Sequence, residues 1–360
     1  MDAAYRWLAK EKARFVVQSF RSTEQALATG RNTSQGIVED LYVRRDGWFV
    51  AQSAGNGGYH PPKSVDNEAC PWSMNALCVG SSTLKNGVSC FSSWKNPGSD
   101  PAVSGGFPDS DREEPDLLTF GGNTTGNGTD YLPATCTDRE EQRIILASSA
   151  SDTGYTLNAG TSFSTPVAGA VAALVHQYCA KLGVPLNGLE LRNTLMLSAN
   201  RNANGWTYST LKPGTDAADG AGILSSSAAR AACDSYANIA SGGGPVAAHG
   251  TKTVDTGIPG QPLPAGEIAY PSTPPGVESK NQKLNPATSL AGISATPEFQ
   301  WNRKAGEHIR FVLSWNSCTE TTRSPNLVGV DFDVFLYSKT RKAYLYASQS
   351  NDDNNEGFDV

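Results

Sequence analysis

Histidine is scarce in this chain: there are four in 360 residues, at positions 60, 176, 249 and 308. None stands at a spacing that suggests zinc, and the cysteines form no CxxC pair, so a zinc centre of that kind is excluded. Clusters of Lys and Arg are absent too. With a net charge of −6 and a pI near 5.3, nucleic acid and anionic membrane surfaces are poor partners. No apolar stretch is long enough to span a membrane. The first fifteen residues lack the apolar centre of a secretory signal and carry Asp2, Arg6, Lys10, Glu11, Lys12 and Arg14 instead. Charged residues make up only 18% while Gly (36) and Pro (21) are plentiful, a balance that suits a loop-rich secreted protein.

What is present allows an enzyme. A chain of this length holds two domains and buries a large core. Seven cysteines, at 70, 78, 90, 136, 179, 233 and 318, read as disulfide partners, and the odd count leaves one free, buried or paired elsewhere. Sequons at Asn32, Asn123 and Asn127 would permit glycosylation in a eukaryotic host.

Along the chain, residues 3–13 read as an amphipathic helix and 14–20 (RFVVQSF) as a buried strand. A polar excursion to Gly36 precedes a helix over 37–45. A second buried strand at 47–53 (GWFVAQS) ends in Ala54, Gly55, Asn56, Gly57 and Gly58. A third strand is expected at 75–81, and an apolar segment opens at 114–118. The polar stretch 121–152 reads as a long surface loop. Helices follow over about 162–182, 189–199 and 226–233. Helix and buried strand alternate at short spacing, which predicts an α/β fold with a parallel sheet covered on both faces. Residues 239–265, rich in Gly, Pro, Ala and Thr, read as a linker. Beyond them, 298–301, 308–316, 331–338 and 342–348 alternate apolar and polar residues, predicting an all-β domain over 266–360 of sandwich or jelly-roll type.

The stretch with the most chemistry in it is Gly160, Thr161, Ser162, Phe163, Ser164, Thr165, Pro166, followed by a run of small apolar residues. It places Ser162 at the entrance of a helix, with Pro166 expected in the first turn, where a missing N–H costs little. Ala168, Gly169, Ala170, Ala172 and Ala173 are small on every face and predict a helix pressed deep against a sheet.

These residues resemble the nucleophile motif of the subtilisin-like serine peptidases. RFVVQSF, FVAQSAGN, ALCVGSS, SCFSS, the 114–118 segment, LRNTLMLSA and GAGIL follow that family's segments in order, so the resemblance covers roughly residues 5–230. It implies a subtilisin-like sheet over 1–238 and a secreted serine endopeptidase acting on protein or peptide substrates without an obligatory cofactor. Ser162 would be the nucleophile, and Asn56, together with the Ser162 amide, would stabilise the oxyanion. Ser19, Phe20 and Arg21 on one strand and Ser53, Ala54 and Gly55 on the other would line the substrate cleft. Arg21 and Ser22 stand where glycines are common in the family. The segment 266–360 resembles β-sandwich modules appended to some secreted members.

In this family the aspartate and histidine precede the oxyanion asparagine, yet no histidine occurs before His60. His60 lies too late in the chain, and His176 lies fourteen residues beyond Ser162 on the same helix. His249-Gly250-Thr251 and Asp255-Thr256-Gly257 imitate the family's histidine and aspartate motifs, but in the wrong order for a circular permutation, and Pro259, Pro262 and Pro264 block a following helix. Asp152-Thr153-Gly154 is more simply a loop. The expectation is therefore a carboxyl-terminal part of a longer peptidase, inactive or nearly so alone, whose missing segment or propeptide would pair with the strand at 14–20; without it that apolar strand is left as an edge. Asp331 and Asp333, with the acidic turn 351–356, would suit calcium. Two other readings remain: a non-catalytic derivative that binds peptides or proteins, and a surface- or glycan-binding module in 266–360.

Overall fold

A computed structural model describes residues 2–20, 34–57, 70, 73–94, 114–124, 142–200, 218–240, 280–282, 296–298, 310–314, 334–348 and 355–359. Its elements in chain order are α1 (Asp2–Lys10), β1 (Phe15–Gln18), α2 (Ser34–Asp46), β2 (Phe49–Ser53), β3 (Leu77–Ser82), β4 (Leu117–Phe120), β5 (Ile144–Ala147), β6 (Tyr155–Asn158), α3 (Thr161–Lys181), α4 (Gly188–Leu197), β7 (Ala199–Asn200), β8 (Ile223–Leu224) and α5 (Ser226–Ala240).

The main sheet has the order β1-β2-β3-β4-β8-β7. Its neighbours pair in parallel except β7 with β8, which are antiparallel. Side chains alternate across the strands, so β2 sends Phe49 and Ala51 to one face and Val50 to the other. On the first face they join Leu77, Val79 and Leu117 from the sheet and Ala168, Ala172, Leu191 and Leu195 from helices. On the second, Val50 packs with Tyr5, Tyr42, Val43 and Trp48, where the rings of Tyr5, Tyr42 and Trp48 stack. Helices thus cover both faces, the arrangement that near-continuous apolar strands require.

Four buried polar residues cross the second face. Glu39, fully enclosed, accepts from Gln18 Nε2 at 2.8 Å and from Gln52 Nε2, and Gln18 Nε2 also donates to the Tyr5 hydroxyl. Burial first, and the Glu39 carboxylate second, hold the Tyr5 proton well above the usual phenol range.

Helix α3 meets β1 in regular steps. The Phe15 ring meets His176 edge-on at 5.4 Å between centroids. A Cβ on Gly169 would come within 2.4 Å of Val17 Cγ2, and Ser19 reaches Ser162. Two strand residues match seven helix residues, or two turns. Glycine at 169 is what allows the approach. The small face of α3 is buried as expected, but Pro166, Val167, Ala170 and Leu174 are exposed. The helix is therefore buried on one side and not all round. Among the described residues β1 pairs only with β2 and stands at the edge of the sheet.

Several expectations are revised. The stretch read as a loop over 121–152 contains β5, which forms an antiparallel hairpin with β6. Asp152 and Gly154 sit in its turn, closed by Ser148 N donating to Gly154 O. Its outward residues Ile145, Tyr155 and Leu157 are exposed, so it carries no core signature that a sequence reading would catch. Helix α5 continues past Cys233 to Ala240 because Ala229, Ala232, Cys233 and Tyr236 keep one apolar face. Pro166 stands in the second turn of α3, not the first, because the helix already begins at Thr161.

Disulfides join Cys70 to Cys78 and Cys179 to Cys233, the second tying α3 to α5, and Cys90 is also disulfide-bonded. The sequon residue Asn123 is enclosed: its Oδ1 accepts from Cys90 N, and its backbone pairs with Gln142. The folded chain offers no room for a glycan there.

Helix α4 opens with a capping box in which Asn187 Oδ1 accepts from Glu190 N and Glu190 Oε2 accepts from Asn187 N. Burial raises the Glu190 carboxyl above its ordinary 4.5, against the opposing pull of the Asn187 amide. In the pH window between that value and the raised one, the folded state holds more proton than the unfolded state, so stability falls as pH rises through it. The variant Glu190→Gln keeps the capping acceptor and loses the slope. In urea unfolding from pH 4 to 8, its stability relative to the parent should rise across that window and then level off; a constant difference would refute the assignment.

Beyond Ala240 the described strands form pairs: β9 (Lys280–Gln282) with β10 (Thr296–Glu298), β11 (Arg310–Ser314) with β14 (Asn355–Asp359), and β12 (Val334–Ser338) with β13 (Ala343–Ser348), all antiparallel. Asp331 and Asp333 lie outside the described residues, while Asn355 and Glu356 open a strand instead of closing a turn.

Candidate active site

The site forms where β1 and β2 end beside the start of α3. Ser162 is the second residue of the helix, so its surroundings include backbone N–H groups with no intrahelical acceptor and the positive end of the helix dipole. Gly160 leads in, with its N–H bonded to Gly121 O, which fixes the helix start against the end of β4.

Asn56 stands in the turn after β2. Its Oδ1 accepts from both Thr161 N and Thr161 Oγ1, each at 2.8 Å. Thr161 Oγ1 in turn accepts from Gly55 N at 3.2 Å. The amide lies against Gly160, where a Cβ would come within 3.3 Å of Nδ2 and 3.5 Å of Oδ1. Ser162 and Asn56 are thus brought together by Thr161, a residue the sequence reading passed over although it stands next to the serine.

The cleft residues fall as follows. Ser19 Oγ donates to Ser162 O at 2.8 Å, and Ser162 Oγ donates to Ser19 O at 3.1 Å. Phe20 is exposed and Ser53 is partly buried. The methyl group of Ala54 is buried against Cys70 and Cys78, leaving only its backbone to face a ligand. Gly55 bonds Thr161 and Ser93 through its N–H and carbonyl. Arg21 lies outside the described residues.

Among the described residues the one histidine is His176. It lies about 20 Å along α3 from Ser162 at the usual helical rise, with Nδ1 2.9 Å from Leu186 O. It has a packing role. His60, His249 and His308 lie outside the described residues. Among the described residues, the grouping of metal-ligand type is Cys70, Cys78 and Glu114, and its two sulfurs are joined to each other.

The mainly parallel sheet covered by helices is of the α/β class, with Ser162 at the mouth of α3 and the Asn56 amide held by the neighbouring Thr161. The chain belongs to the subtilase family, whose Peptidase S8 model matches residues 1–222. It is similar to the solved structure of the prenylagaramide maturation protease PagA, at 18% identity over 64% of this chain and 66% of that one, with a TM-score of 0.42. It is also similar to the patellamide maturation protease PatA (19%, 65% and 67%, TM-score 0.44) and to a lanthipeptide protease (18%, 64% and 65%, TM-score 0.43). The chain spans about two thirds of the length of these structures. No curated protein matches it.

Proposed function

We propose that this chain carries the nucleophile of a serine endopeptidase acting on polypeptides. Ser162 attacks the scissile carbonyl, and the Asn56 side-chain amide with the Ser162 N–H receives the developing oxyanion. The observation that carries this reading is the pair of hydrogen bonds that Thr161 donates to Asn56 Oδ1, which commits the amide's oxygen to Thr161 and leaves its N–H end free of that contact. Peptide hydrolysis also needs a proton acceptor, and His176, the one histidine among the described residues, is held at Leu186 O away from Ser162. Residues 1–238 form the peptidase unit, 239–265 the linker and 266–360 a β-sandwich unit. Two structural disulfides support an extracellular setting.

A fluorophosphonate probe followed by intact-mass analysis tests this. Slow labelling over hours is expected for the isolated chain, none for Ser162→Ala, and slower labelling for Asn56→Ala. A second reading, a peptidase relative that binds peptides without cleaving them, is favoured by the position of His176 away from the serine. Peptide binding with no labelling at all would establish it instead.

A further inference from the structure

In an α-helix the N–H of residue 166 would bond to the carbonyl of residue 162. Pro166 has no N–H, and its ring also crowds that carbonyl. The nucleophile's own carbonyl is therefore deprived of its helical donor. The structure places Ser19 Oγ on it, 2.8 Å away, from the end of the edge strand β1. In return, the Ser162 hydroxyl donates to the Ser19 carbonyl at 3.1 Å. The two serines, 143 residues apart in sequence, thus hold each other by a reciprocal pair.

We propose that Ser19 is a positioning residue: its hydroxyl takes the place of the helical N–H that Pro166 removes, and so fixes the turn of α3 that presents Ser162. The proline leaves a backbone acceptor open inside the helix, and Ser19 Oγ, at the end of β1, donates to it. Ser162 then keeps one backbone orientation relative to β1. Its hydroxyl rests on the carbonyl of the same strand residue, from which it has to turn in order to react. This role rests on the reading of Ser162 as nucleophile, but the hydrogen-bond exchange itself does not.

The test is a cycle of the full chain, Ser19→Ala, Pro166→Ala and the double variant, with Ser19→Thr added because it keeps the hydroxyl. Two readouts are taken: the urea unfolding midpoint and the rate of fluorophosphonate labelling at Ser162. Ser19→Ala should lower the midpoint and slow labelling tenfold or more, whereas Ser19→Thr, which keeps the hydroxyl, should recover most of the lost midpoint. In the Pro166→Ala background, where residue 166 again has an N–H for the Ser162 carbonyl, removing the Ser19 hydroxyl should shift the midpoint by less than half as much as it does in the parent and slow labelling by less than twofold. A Ser19→Ala defect of equal size in both backgrounds, or no defect at all, overturns the proposal. If the parent chain does not label, the peptidase reading fails, while the urea cycle still decides the exchange, because no reactivity enters it.

Discussion

Replacing Arg192 with Ala should lower the stability of the chain by about 3–5 kcal/mol, the scale expected when one partner of an enclosed ion pair is removed. Arg192 is 1% exposed and its Nη2 lies 2.8 Å from Asp116 Oδ1, while Nη1 donates to Met74 O. Asp116 Oδ2 in turn accepts from Cys78 N at 2.7 Å, and its carbonyl accepts from Ala221 N. One helix residue therefore clamps α4 to the starts of β3 and β4 and to the segment entering β8. Without the guanidinium, the enclosed Asp116 carboxylate loses the cation paired with it. Urea unfolding at pH 7 is the measurement. Arg192→Met made together with Asp116→Asn should cost less than Arg192→Ala alone, since neither charge then remains. A loss of under 1 kcal/mol for Arg192→Ala would mean that water or another cation reaches Asp116.

Glu39→Ala should have an effect of similar size, about 3 kcal/mol or more. Glu39 is the shared acceptor of Gln18 on β1 and Gln52 on β2, all three enclosed, and each buried donor that loses its acceptor costs about 1–3 kcal/mol. The consequence reaches the site, because Gln18 immediately precedes Ser19. Loosening β1 at that point should also slow labelling of Ser162, and hydrogen exchange of the β1 amides should rise. Glu39→Gln, which retains an acceptor oxygen and the volume, should cost less than Glu39→Ala. Equal losses in the two variants would show that volume and not hydrogen bonding sets the effect.

Much of the peptidase region was legible from local pattern. The helix after Ser162, the strands ending near Ser19 and Asn56, and the Gly-rich turn at Asn56 all carry short-range signatures, in apolar runs, small-residue spacing or turn residues. The hairpin of β5 and β6 is not legible in the sequence because its outward face holds Ile145, Tyr155 and Leu157 in the open, and neither strand holds a fully buried residue of the kind that marks a core strand. Pro166 was misplaced by a turn. Helix starts are set by which carbonyl first accepts, and Gly160 bonds to Gly121 from a different part of the chain.

By itself the sequence determined the kind of chemistry on offer: a serine at a helix mouth, an asparagine in a Gly-rich turn, and a parallel sheet to hold them. Only the tertiary structure decided how those groups are held. Thr161 fixes the Asn56 amide across 105 residues, and Ser19 meets Ser162 across 143. The physical reason is that a hydrogen bond is directional and specific to atoms, whereas sequence periodicity reports only which face of an element is apolar. Which donor fills the carbonyl that a proline leaves open is set by the packing of β1 along α3, where a glycine lets the two backbones approach.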